Sequence, residues 1–194
     1  MLIAFEGLDQ SGKETQAQLL RDRLRASGTK SRVVSFPDYG TSIGEEIARA
    51  LQGERDYDSD VMQLLYIANR YERRPDIERW RDAGLVLLLD RYVASSVAYG
   101  EAQDLDPAWL TGLQQNLPQP DLTLLLDIAP ETAVERKSTG RDRYEQDLAL
   151  LARVRKSYVR QAEDPQWLCV DGERSKTDIA EEIALAVASR LVQS

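Results

Sequence analysis

The chain has 194 residues, 42% of them hydrophobic, and a formal charge of -8 at pH 7. Its length and apolar content suffice for one sizeable core, so a single domain over 1–194 is expected, and the acidic balance argues against broad electrostatic binding to nucleic acid or an anionic membrane. With no histidine and one cysteine, a His-based catalytic triad is excluded, no internal disulfide can form and a zinc site is disfavoured.

The first apolar run, Leu2 to Phe5, reads as a buried strand. The apolar stretch stops at Glu6 and Gly7, too short for a signal peptide or a membrane span, which predicts a cytoplasmic protein. Next comes Gly7-Leu8-Asp9-Gln10-Ser11-Gly12-Lys13-Glu14-Thr15, with Walker A spacing between a strand and a helix. Leu19, Leu20 and Leu24 give that helix its apolar face, and Gly28 ends it. Further runs at Val33 to Phe36, Leu85 to Leu89, Leu122 to Leu126 and Trp167 to Val170 read as strands buried on both faces, so Cys169 is expected to be a buried thiol. Between them lie helical segments, with starts marked by Asp106-Pro107, by Pro130 and by Ser175 with Asp178. Strands alternating with helices imply parallel crossovers, and therefore an α/β fold: a three-layer sandwich around a five-stranded parallel sheet. Ligands in such a sheet bind beyond the carboxyl ends of the strands.

The Gly7–Thr15 loop can surround phosphates with backbone N–H groups and a helix N-terminus, and Lys13 adds a point charge. Glu14 stands where a Ser or Thr hydroxyl normally meets Mg²⁺. Carboxylates are therefore the candidate metal ligands, Asp9 first, with Glu14 either a second candidate or a solvated residue of the helix's first turn. At the end of the third strand run, Asp90-Arg91-Tyr92 places Arg91 near the phosphate loop, where it can grip an acceptor phosphate bidentately or pair with Asp90 or Asp9. Tyr66 and Arg70 are four apart on a helix and share a face.

In this order, GLDQSGK, FPDYGTSIG, LLYIANRYE, LDRYVASSVAY, LPQPDLTLLLD and GRDRYE resemble thymidylate kinase, over about Leu2 to Glu145. The resemblance implies ATP as donor, Mg²⁺, dTMP as acceptor and a homodimer. It places Tyr66 and Arg70 on thymine, Phe36 and Pro37 on the wall of the pyrimidine site, and Ser96 among the substrate contacts. Tyr39 is expected at the monophosphate; many relatives carry a basic residue near it where this chain has Asp38. Tyr99 matches the residue beneath the sugar that disfavours a 2′-hydroxyl, or is a buried structural tyrosine. The basic run 136–143 resembles the family's lid, with a lid segment at about 136–144. Because Gln10 occupies the position of the catalytic arginine carried by some members in the phosphate loop, the chain resembles the type whose arginine lies in the lid. Arg141 is the first candidate, with Arg136 and Arg143 next and placed on ATP. Asp9, Asp90 and Glu145 are the metal candidates. The rival readings are a kinase of the same fold acting on a deoxynucleoside or deoxycytidylate, and a nucleotide-dependent switch or silent binding module; the N-K-x-D base-reading motif of a GTPase switch does not occur.

Overall fold

A computed structural model describes residues 1–136 and 147–191. In chain order the elements are β1 (Leu2–Glu6), α1 (Lys13–Ala26), β2 (Ser31–Ser35), α2 (Ser42–Leu51), α3 (Ser59–Asp82), β3 (Val86–Asp90), α4 (Val93–Glu101), α5 (Pro107–Leu113), β4 (Leu122–Asp127), α6 (Pro130–Arg136), α7 (Leu148–Gln161), β5 (Trp167–Asp171) and α8 (Lys176–Leu191). The strands form one parallel sheet in the order β2-β3-β1-β4-β5.

Strand alternation divides the core. On one face, Ile3 and Phe5 join Leu88 and Leu124 beneath Ala17, Leu20 and Leu24 of α1 and Ile179 and Ile183 of α8. On the other, Leu2 and Ala4 pack with Leu87, Leu89 and Ile77 of α3, while Leu125 packs with Ala94 and Ala98 of α4 and Val154 and Tyr158 of α7. Period-two strands covered on both faces give the three layers. Helix boundaries follow the local chemistry. Gly28 (φ +83°) allows the chain to leave α1, Asp106 accepts from the Ala108 amide at the start of α5, and the Ser175 hydroxyl accepts from the Asp178 amide at α8.

Two expectations fail at the sheet edges. The second strand is Ser31–Ser35 rather than Val33–Phe36, and only Ser31 and Val34 of it are buried, because an edge strand has a sheet neighbour on one side and needs no continuous apolar run. Cys169 is exposed rather than buried: β5 is the opposite edge strand, and its buried position is Val170.

The chain order reverses about β1, whose neighbours β3 and β4 lie on either side. This switch point opens a crevice at the carboxyl ends of β1 and β3, where Gly7 and Arg91 begin their loops.

Candidate active site

The loop after β1 curls through conformations that side chains resist. Gly7 has φ +137°, and a Cβ there would lie 2.5 Å from the Leu126 carbonyl oxygen of β4. Gln10 has φ +63° and Gly12 φ +93°. The result is a cradle ending on the N-terminus of α1. Ser11 is buried within it, with its amide donating to the Leu8 carbonyl at 3.2 Å. The Lys13 ammonium is folded back under the loop, donating to the Leu8 carbonyl at 2.7 Å and to the Ser11 hydroxyl at 3.4 Å. Burial, reinforced by the nearby Arg91 guanidinium, pulls its pKa down to about 8. Glu14 and Thr15 are exposed on the first turn of α1. Arg136, at the end of α6, donates to the Gln10 carbonyl at 3.3 Å and to the Gly172 carbonyl at 3.1 Å, bridging this loop to the one after β5. Arg141, Arg143 and Glu145 lie outside the described residues.

Arg91 adopts φ +60° immediately after β3, a conformation uncommon for a non-glycine residue. Its Nη2 donates to Asp9 Oδ1 at 2.6 Å, so the sequence alternative of an Asp9 pair is realised. Tyr99 donates its hydroxyl to Asp9 Oδ2 at 3.2 Å and lies with its ring 5.4 Å from the Arg91 guanidinium. Burial alone would raise the Asp9 pKa, but Arg91, Lys13 and these hydrogen bonds hold it well below the usual carboxylate range. Burial pushes the Tyr99 hydroxyl far up. Asp90 Oδ1 is buried without a hydrogen-bond partner. Among the described residues no group of three or more His, Cys, Asp or Glu side chains forms a cation cage.

From Asp9 and Arg91 a cleft of about 670 Å³, open to solvent, runs to Phe36, Pro37, Tyr66, Arg70, Ser96 and Tyr99. Its far wall depends on a buried residue that the sequence reading passed over. Asn69 accepts from the Asp38 amide at 2.7 Å and donates to the Asp38 carbonyl at 3.2 Å and to the Thr41 hydroxyl at 2.7 Å, clamping the loop between β2 and α2 to α3. Gly44 lets α2 approach that loop: a Cβ there would stand 1.8 Å from the Asp38 carbonyl oxygen. Asp38 itself is turned onto Arg73, at 2.6 Å, and Tyr39 stands exposed at the mouth.

Arg70 is buried, donating to the Ser96 hydroxyl at 2.7 Å, 6.0 Å from the Phe36 ring centre. Its Nε and the Oε1 of buried Gln63, one and two turns along the same face of α3 from Tyr66 and Arg70, have no hydrogen-bond partner. Both residues line the cleft, and a buried donor and acceptor left unpaired are groups whose hydrogen bonds the protein itself does not supply. Sequence reasoning missed Gln63 because a glutamine in a helix carries no signal by itself. Leu51, Ser95 and Gln103, which also line the cleft, escaped for the same reason.

Fold and site together define a P-loop α/β protein built to hold a nucleoside triphosphate beside a second, smaller nucleotide. The thymidylate kinase family model matches residues 5–183. The chain is 34% identical to thymidylate kinase of Schizosaccharomyces pombe over 97% of its own length and 91% of that protein's, and 33% identical to that of Homo sapiens over 94% and 87%. A solved structure of thymidylate kinase from Candida albicans superposes with a TM-score of 0.84 at 29% identity, covering 97% of this chain and 91% of that one. The chain belongs to the thymidylate kinase family, a family of nucleoside monophosphate kinases.

Proposed function

We propose that the chain transfers the γ-phosphoryl group of ATP to dTMP, giving dTDP and ADP on the route to dTTP. The observation that carries this reading is the cleft's two arginines. Arg91 stands beside the phosphate loop, where it suits an acceptor phosphate. Arg70 lies deeper, buried among Phe36, Ser96 and Tyr66 with a free Nε donor, where it suits the carbonyl of a pyrimidine. An amino group, as on cytosine, would meet that donor with another donor.

In this mechanism the loop amides and Lys13 orient the triphosphate. Arg91 aligns a dTMP phosphate oxygen for in-line attack on the γ-phosphorus, and the bond from that phosphorus to the β–γ bridging oxygen breaks as the new one forms. No protein nucleophile takes part. Asp9 keeps Arg91 charged and oriented until the acceptor arrives. The ionised Asp9 and the orphaned Asp90 Oδ1 are suited to hold Mg²⁺ directly or through water, the remaining ligands coming from phosphates. Bound there, the ion would neutralise charge on the donor phosphates. Arg136 already reaches the phosphate loop, which supports its place beside ATP.

The reading also takes the chain as one kinase domain with a lid at about 136–144, working in the cytoplasm as a homodimer; Val61 and Leu64 expose apolar side chains on one side of α3, which suits a self-association face. Calorimetric titration with dTMP and dCMP separately tests the acceptor assignment. The reading requires dTMP to bind at least about tenfold tighter, the discrimination one mispaired buried hydrogen bond supplies; equal affinity contradicts it.

A further inference from the structure

We infer that Glu6 is the positioning residue for Arg91, fixing both the backbone and the guanidinium of the residue proposed to grip the acceptor phosphate; the inference rests on that role for Arg91. Strand alternation continues the Leu2 and Ala4 face of β1 onto Glu6, so its side chain enters the layer of α4 and α7 and is completely buried. A buried carboxylate is costly unless its oxygens are hydrogen-bonded. Here Oε1 accepts from the Tyr92 amide at 2.8 Å, and Oε2 accepts from the Ser95 hydroxyl at 2.6 Å and the Tyr158 hydroxyl at 3.1 Å.

These partners converge on Arg91. The Arg91 amide donates to the Phe5 carbonyl at 3.0 Å, and the next amide, that of Tyr92, goes to the Glu6 side chain. The left-handed turn at Arg91, φ +60°, is therefore held from both sides by consecutive residues of β1. Such a conformation persists in a non-glycine residue only when its surroundings over-determine it.

Beside the Asp9 ion pair on Nη2, a second contact to the side chain, on Nη1, runs through Ser95. The Ser95 hydroxyl donates to Glu6 at 2.6 Å and its oxygen accepts from Arg91 Nη1 at 3.4 Å, while the Tyr158 hydroxyl stands 2.9 Å away, able to donate or to accept. A glutamine at position 6 keeps the shape but replaces one acceptor by an N–H₂ donor. That donor must oppose either the Tyr92 amide or the Ser95 hydroxyl. In the second case the Ser95 proton turns away from position 6, toward Tyr158 or the guanidinium, and Arg91 Nη1 loses its fixed acceptor while Nη2 keeps Asp9.

The test is steady-state kinetics on the full-length chain carrying Glu6→Gln, Arg91→Ala or both, with Ser95→Ala as a second, milder variant that leaves the buried carboxylate in place. The expected result is a rise of about tenfold in the dTMP KM for Glu6→Gln and about threefold for Ser95→Ala, the scale of a lost or misdirected hydrogen bond to a charged group. The ATP KM should stay within about twofold, and the double variant Glu6→Gln/Arg91→Ala should be no worse than Arg91→Ala alone, because the effect passes through the arginine. A parallel rise in both KM values, or Glu6→Gln and Arg91→Ala effects that multiply, assigns Glu6 to general stability and overturns the inference. If Glu6→Gln does not fold, an unchanged dTMP KM in Ser95→Ala overturns it equally. A loss in Arg91→Ala with none in the other variants refutes the role of Glu6 alone. An Arg91→Ala enzyme with normal dTMP KM refutes the reading of Arg91 on which the inference stands.

Discussion

Lys13 makes ATP binding a proton-linked event near neutral pH. In the ligand-free protein burial and the Arg91 charge bring its ammonium to about 8 from an ordinary value near 10.5, partly offset by Asp9, Asp90 and Glu6. Triphosphate restores the attraction that burial removed, so the complex holds the proton firmly. Binding should then take up a small fraction of a proton at pH 7 and most of one at pH 9, and ATP affinity should fall by roughly tenfold across that range. Titration calorimetry of ATP into the protein, in buffers of different ionisation enthalpy at each pH, counts these protons. Lys13→Arg, permanently charged, should bind ATP without the uptake. The stability of the ligand-free protein should move in the opposite direction. Between about pH 8 and 10.5 the unfolded chain carries the extra proton, so stability rises with pH by an amount of order 3 kcal/mol across the whole window. An uptake that stays near zero from pH 7 to 9, or that survives in Lys13→Arg, refutes the assignment of the proton to this ammonium.

Gly44→Ala should disturb the cleft from outside it. The new methyl would meet the Asp38 carbonyl and the Tyr39 Cα, both backbone, so a loss of about 1–3 kcal/mol in chemical unfolding, with a raised dTMP KM, is expected. Arg70→Lys replaces a planar fork by a single ammonium and should raise the dTMP KM about tenfold while leaving the ATP KM unchanged, because the Ser96 and Phe36 contacts depend on the guanidinium plane; substrate-variation kinetics checks it. Arg141→Ala should lower kcat far more than it raises either KM, as expected for an interaction made in the transition state; an unchanged kcat removes Arg141 from the chemistry.

Much of this site can be read from the sequence because phosphate chemistry restricts it. Gly7, Gly12 and Lys13 are required by a loop that must turn tightly and carry one cation, and their spacing announces it. Arg91 is legible from its place at the end of a strand. The partners of these groups are less visible. Glu6 reads only as the charge that ends an apolar run; its burial arises from strands and helices far apart in sequence, 86 residues in the case of Tyr92 and 152 in the case of Tyr158. Asn69 clamps a loop 31 residues away, and no local pattern records that. The sheet edges mislead for another reason: Trp167-Leu168-Cys169-Val170 is as apolar as an interior strand, but which strand lies at the edge depends on sheet order, and so does the exposure of Cys169. The 24 residues of α3, which run through Pro75, likewise form one helix because its face supplies Ile77 to the sheet and Gln63, Tyr66 and Arg70 to the cleft, a tertiary gain that outweighs the hydrogen bond proline removes.

The most direct test of the account is ADP release from ATP and Mg²⁺ with dTMP, dUMP, dCMP, dGMP and thymidine supplied one at a time. The account predicts that dTMP gives the dominant rate, that dCMP and dGMP stay near background, and that thymidine, lacking the phosphate Arg91 would hold, does not turn over. Bound ATP without acceptor-dependent ADP release, or a rate with dCMP or thymidine equal to that with dTMP, would contradict it.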